Sequence, residues 1–293
     1  MVTINITYAA DATPQADQQA DIEYAADQWQ AILNIEEPGL TINVQVWAVD
    51  MTATNLNAMC IPGFIQVEDQ ETLTRPQAKL LGLGGIDQDD PDIDLIVVMD
   101  TVTPWVLGTP PAALPAAGQY SLATTIMHEL CHGLGFLGLC DVIPPEGVPG
   151  QGIYTDADAL IGLLEQTVNA MNPVVAIPDY FFPDPVINGF AVISPFADLF
   201  RYGIGGLVKG VATDDYTAFM GHNSILIGNI NEPGVGVYIV LTADGGQFEP
   251  FTTCDHITGA NYLMNPSTIG QYYAVPDASS RAILRLIGWT VAG

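Results

Sequence analysis

Residues 2–8 alternate, with Val2, Ile4 and Ile6 apolar against Thr3, Asn5 and Thr7, and this predicts a half-buried β-strand. After Thr13-Pro14 the period lengthens to that of a helix. Thr13 reads as the cap, Pro14 as the first helical residue, and Ile22, Ala25, Ala26, Trp29, Ile32 and Leu33 as one apolar stripe. Residues 41–49 read as a second strand. Residues 93–99 are almost continuously apolar, which predicts a third strand at the centre of a sheet with both faces covered. A buried helix is expected over residues 121–137, and the proline- and glycine-rich stretch 142–152 marks a subdomain boundary.

Beyond that boundary, residues 156–171 predict a helix with Ala159, Leu160, Leu163, Leu164 and Val168 inward. Residues 172–216 are irregular and aromatic-rich, 236–242 read as a strand, and 276–289 as a closing helix with Ala282, Ile283, Leu286 and Ile287 inward. There is no internal repeat. The pattern is that of an α+β chain in two parts. An N-terminal subdomain (1–140) carries the sheet and the buried helix, and a loop-rich C-terminal subdomain (141–293) carries the final helix.

Composition narrows the partners. Of 293 residues, 33 are acidic and six basic, a formal charge of −27 that argues against nucleic acid and anionic membranes as partners. The field could attract divalent cations or reflect a salty or extracellular setting. Charged residues make up only 13%, too few for the dense acidic shell of an extreme cytoplasmic halophile, so an extracellular protein is expected. No apolar run reaches the roughly 18 residues of a membrane span, and no export signal is recognisable. Asp87, Asp89, Asp90, Asp92 and Asp94 crowd one turn, which reads as a solvated acidic turn or, alternatively, a calcium site.

The chemistry concentrates at His128-Glu129-Leu130-Cys131-His132, which holds two of the four histidines. On a helix, positions i and i+4 share a face, so two imidazoles can bind one zinc ion while the intervening Glu129 acts as general base. The run continues Gly133-Leu134-Gly135-Phe136, and the whole resembles the H-E-x-x-H-x-x-G zinc motif of metzincin endopeptidases. Most metzincins place a third histidine three residues after that last glycine, where this chain has Gly138. The leishmanolysin-like branch instead carries a long insertion before its third histidine, and this chain resembles it in having its remaining histidines, His222 and His256, far downstream.

Asn261-Tyr262-Leu263-Met264-Asn265-Pro266 resembles the metzincin methionine turn, with His256 eight residues before Met264. Trp105-Val106-Leu107-Gly108-Thr109, Phe219-Met220-Gly221-His222-Asn223 and Ile287-Gly288-Trp289 extend a likeness to secreted bacterial proteins bearing an H-E-L-G-H-G-L-G-F motif. The resemblance implies a metzincin-like fold, with an N-terminal mixed sheet, an active-site helix, a methionine turn at Met264 and a final helix. It also implies one catalytic zinc held by His128, His132 and His256. His222 and the carboxylates Asp141 and Glu165 stand as alternative third ligands.

The expected activity is zinc-dependent hydrolysis of internal bonds in a peptide or protein substrate. The rival is a non-catalytic structural or adhesive extracellular protein that keeps the fold, and self-assembly is open to either. Tyr262, Tyr272 and Tyr273 lie near the methionine turn in sequence but are assigned no role. Cys140 and Cys254 flank the two halves of the expected metal site and are expected to be disulfide-bonded, leaving Cys60 and Cys131 paired or buried as thiols.

Overall fold

The computed structural model describes residues 2–33, 39–66, 72–110, 114–137, 142–143, 153–154, 167, 176–181, 224–232, 236–242, 256–257, 262–265 and 267–292. It is α+β with a mixed sheet. In chain order it has β1 (Thr3–Tyr8), α1 (Ala16–Ile32), β2 (Thr41–Val49) and β3 (Ala58–Pro62). A small ribbon of β4 (Phe64–Gln66) and β5 (Thr72–Thr74) leads to α2 (Arg75–Leu81), and β6 (Leu95–Asp100) completes the main sheet. Then come β7 (Trp105–Val106), β8 (Tyr120–Ser121) and α3 (Leu122–Gly133), the helix that carries the histidine motif. Two short strands, β9 (Val142–Ile143) and β10 (Ile153–Tyr154), pair with each other, as do β11 (Ser224–Glu232) and β12 (Gly236–Thr242), and α4 (Ala278–Leu286) closes the chain.

The sheet order is β1-β2-β6-β3, with β1, β2 and β6 parallel and β3 antiparallel along the edge. The continuous apolar run of β6 has the consequence expected of it. Leu95, Val97 and Met99 face the main core with α1 and α3, while Ile96 and Val98 face a smaller cluster with Trp47, Ile61 and Phe181. Because side chains alternate across a strand, only a strand covered on both sides can be apolar throughout. Pro62 ends β3 where its missing N–H costs no ladder bond.

Helix α3 lies very close to this sheet. A Cβ at Gly133 would come within 2.6 Å of the Leu95 side chain and 2.9 Å of the Cys60 sulfur, so glycine is required at that crossing. The Trp29 indole of α1 donates to the Met127 carbonyl at 2.9 Å, and the Trp289 indole to the Leu134 carbonyl at 2.8 Å. Asp21 of α1 is buried, and its carboxylate accepts from the N–H groups of Gly108 and Ala123. That puts a carboxylate on an orphan donor at the start of α3, where the helix dipole also favours it.

Several expected boundaries move. The first helix is capped by Gln15, in a reciprocal box with Gln18, and not by Thr13. A 3₁₀ turn at Ala10–Ala12 takes the Thr13 hydroxyl instead, which donates to the Ala9 carbonyl at 2.7 Å. Helix α3 stops at Gly133, four residues short of the expected end, for a reason given below. Helix α4 starts after its cap Asp277, whose side chain accepts from Ser280 N–H. Strands β3, β4, β5 and β11 and helix α2 had no counterpart in the periodic pattern.

The acidic turn packs inward only at its end. Asp94 and Lys79 are both fully buried and paired at 2.7 Å, and Arg75 reaches Asp94 at 3.3 Å and Asp90 at 3.1 Å. Asp90 and Asp94 are therefore held by the basic side chains of α2, while Asp87, Asp89 and Asp92 are exposed, as a solvated turn requires.

Described residues from Ile257 onwards add to the main core. Ile257, Leu263, Met264, Ala282, Ile283, Ile287 and Trp289 are buried with α1 and α3. The expected 156–171 helix lies outside the described residues apart from Thr167, and Cys140, Cys254, His222, Asp141 and Glu165 lie outside them altogether. Cys60 and Cys131 are buried free thiols.

Candidate metal centre

Ser121 caps α3, and the helix then carries Thr124, Thr125, His128 and His132 as polar groups in a buried segment. Each of the first three ties down the turn at Met264 or the chain that follows it. Thr124 Oγ1 accepts from Tyr273 N–H at 2.9 Å, Thr125 Oγ1 lies 3.0 Å from Thr268 Oγ1, and His128 Nδ1 lies 2.7 Å from the Leu263 carbonyl. Docking that segment brings His256 onto the helix. The Nε2 atoms of His132 and His256 lie 3.1 and 3.2 Å from His128 Nε2, and the three ring centroids stand 4.7, 5.1 and 5.0 Å apart. All three rings are buried, and among the described residues they are the group of side chains close enough to hold a metal ion.

The end of α3 explains the motif's glycine. Gly135, at φ +108°, gives its N–H to the His132 carbonyl, and Phe136 N–H reaches the Cys131 carbonyl, the paired bonds of a Schellman turn. A Cβ at Gly135 would also run into the Gln77 carboxamide. The reversal stops the helix and swings the Phe136 carbonyl back to 2.8 Å from His132 Nδ1.

These carbonyls fix the chemistry of the rings. A carbonyl only accepts, so Nδ1 of His128 and of His132 must each carry the proton, and a neutral ring then presents a bare lone pair at Nε2. Two such lone pairs face each other at 3.1 Å with no proton between them. Protonating one ring would supply a donor, but burial opposes it. His128 is pulled down to about 4 from 6.5 by burial, against the Leu263 carbonyl acting upward. His132 is lowered well below its ordinary value by burial and then by the other two rings.

A shared cation satisfies all of this. In a tetrahedral site with metal–nitrogen bonds of 2.0–2.1 Å, ligand atoms stand about 3.3 Å apart, close to the spacings found. The donor set fits a borderline-soft metal with a fourth position left open.

Glu129 lies between the two helical ligands and is buried. Burial raises its carboxyl from 4.5 to about 8, opposed by the hydrogen bond it accepts from Cys60 N–H. Met264 is fully buried in the turn whose Leu263 carbonyl holds His128. The Met264 carbonyl accepts from Ile257 N–H at 2.6 Å, so the turn and the chain at His256 brace one another.

The structure brings together the rings of His128, His132 and His256, with the turn at Met264 joined to His128 through the Leu263 carbonyl. The carbonyls of Leu263 and Phe136 and the N–H of Cys60 had no signature in the sequence, because any residue type supplies them. No protein-family model, curated protein or solved structure matches this chain.

Replacing His256 with Ala should lower the affinity measured for added zinc by more than the 10–100-fold typical of losing an outer partner. Competition against a chromophoric chelator measures this, and unchanged affinity would eliminate His256 as a ligand.

Proposed function

We propose that the protein is a zinc-dependent endopeptidase. One observation supports this above the others: three buried histidines converge, and the residue between the two helical ones, Glu129, is a buried carboxyl held by the backbone of an edge strand. A zinc ion held by the three rings would supply a Lewis acid that polarises a substrate carbonyl and acidifies water. Glu129 takes a proton from the attacking water and hands it to the departing amine. His128 and His132 stay in one tautomer throughout, because the Leu263 and Phe136 carbonyls hold their Nδ1 protons.

The edge strand supports an extended substrate. The Asn57 carbonyl accepts from Asp100 N–H and Gly63 N–H donates to the Asp94 carbonyl, so by the alternation of the strand Ala58 and Cys60 present their backbone groups outward, where no strand pairs with them among the described residues. Cys60 N–H goes to Glu129, leaving the neighbouring outward groups for a peptide added as a further strand. Such a peptide would run past the carboxyl and the metal, as cleavage of an internal bond requires. The acidic, lysine-poor composition is the basis for placing this activity outside the cell.

The test is hydrolysis of an unfolded protein by the zinc-loaded chain, its loss on chelation and its return with zinc. A chain that binds zinc and cleaves no peptide at any pH would instead be a scaffold that keeps the metal for structure.

A further inference from the structure

Asp277 uses both of its carboxylate oxygens. Oδ1 accepts from Ser280 N–H at 2.7 Å, the cap of α4, and Oδ2 accepts from Leu263 N–H, also at 2.7 Å. A helix cap needs only the first of these, and serine, threonine or asparagine would supply it as well. The second bond goes to the residue whose carbonyl holds His128 Nδ1. The same turn is closed by Asn265 N–H on the Tyr262 carbonyl at 3.1 Å, and through the Met264 carbonyl it reaches Ile257, next to His256. His132 is different, since its carbonyl partner, Phe136, belongs to the turn that ends α3 itself.

We propose that Asp277 is a positioning residue of the metal centre. It clamps Leu263 between the start of the last helix and the methionine turn. The Leu263 carbonyl is thereby fixed where it sets the tautomer and tilt of the His128 ring. Two of the three rings, His128 directly and His256 through Met264, depend on this clamp, while His132 does not. The role rests on the three-histidine centre proposed above and is independent of whether the centre cleaves peptides.

The decisive variant is Asp277→Ser. Its hydroxyl still caps α4 but is too short to reach Leu263 as well. The dissociation constant for zinc, measured against a chromophoric chelator, should rise about 10–100-fold, as expected when an outer-shell partner of a metal-bound histidine is lost. The visible spectrum of the cobalt-substituted protein should change with it, because the His128 ring is no longer held. Thr74→Ala, at the cap of α2, is the control: it weakens a helix start elsewhere and should leave zinc affinity unchanged.

Asp277→Asn keeps the length but has one acceptor for two N–H groups, so it too should bind zinc more weakly, and it decides the matter if the serine variant does not fold. Parental zinc affinity and cobalt spectrum in a folded Asp277 variant would overturn the role. A parent protein that binds no zinc would overturn the centre itself, a separate result visible before any variant is made.

Discussion

Glu129→Gln should lower peptide hydrolysis by about 10²–10⁴-fold, the usual contribution of a positioned general base, while leaving one zinc bound. Glutamine is isosteric and can still accept from Cys60 N–H, so the core around it is undisturbed, but it cannot take a proton. The same variant has a signature in the metal-free protein that requires no substrate. Glu129 has its folded value raised from 4.5 to about 8, so its contribution to stability is full below 4.5 and is lost as pH rises towards 8. The histidines have the opposite sign. His128, depressed from 6.5 to about 4, contributes stability that is present above 6.5 and lost as pH falls towards 4, and His132 acts in the same direction.

Together these groups make the metal-free protein most stable near pH 6.5, with a decline from there to about pH 8 that belongs to Glu129 alone among them. Urea denaturation of the chelated protein across this range should show that decline, and Glu129→Gln should abolish it. A variant that hydrolyses peptides at the parental rate would remove Glu129 from the chemistry. An unchanged alkaline decline would mean that some other group causes it.

Lys79→Met should destabilise the fold by roughly 3–5 kcal/mol, the cost of leaving one member of a buried ion pair uncompensated. The Lys79 ammonium places its three donors on Asp94 at 2.7 Å, the Asp90 carbonyl at 2.9 Å and the Thr41 carbonyl at 3.1 Å. Methionine fills similar space and satisfies none of these. Asp94 would keep Asn43 N–H at 2.8 Å and the Arg75 guanidinium, but it would lose its nearest charge inside the protein. This cluster anchors the chain just before β6, so its loss should be felt across the sheet, and chemical denaturation measures it directly. Adding Asp94→Asn should recover part of the loss, because the carboxylate left without its lysine is what makes the single change so costly. A loss below about 1 kcal/mol for Lys79→Met would mean that the pair is solvated in solution.

The amino-acid sequence made legible the elements whose periodicity is strong and whose burial is one- or two-sided in an obvious way. The alternation of residues 2–8, the apolar run of β6 and the stripe of α1 each correspond to one physical environment, and each is found where expected. It also determined the chemistry of α3, since the i, i+4 histidines, the intervening glutamate and the glycine of a Schellman turn depend only on local helical geometry. Short elements escaped notice. Strand β3 has five residues and helix α2 seven, too few for a period to show, and both are stabilised by what they pack against. The ion pairs of Asp90 and Asp94 were not legible because a charge pattern carries no sign of where its counter-ions fold, and each paired side chain stands 15 or 19 residues from its partner.

That His256, 128 residues from His128, joins the two helical rings follows from long-range packing that no local pattern displays. A resemblance named that residue, but the contact is made by Thr124, Thr125 and His128, which dock the turn at Met264 and the chain after it onto one helix. The tertiary structure also supplied the acceptors for two Nδ1 protons and the donor to Glu129. These are backbone groups, identical for every residue type, so position alone gives them a role and no sequence can display it.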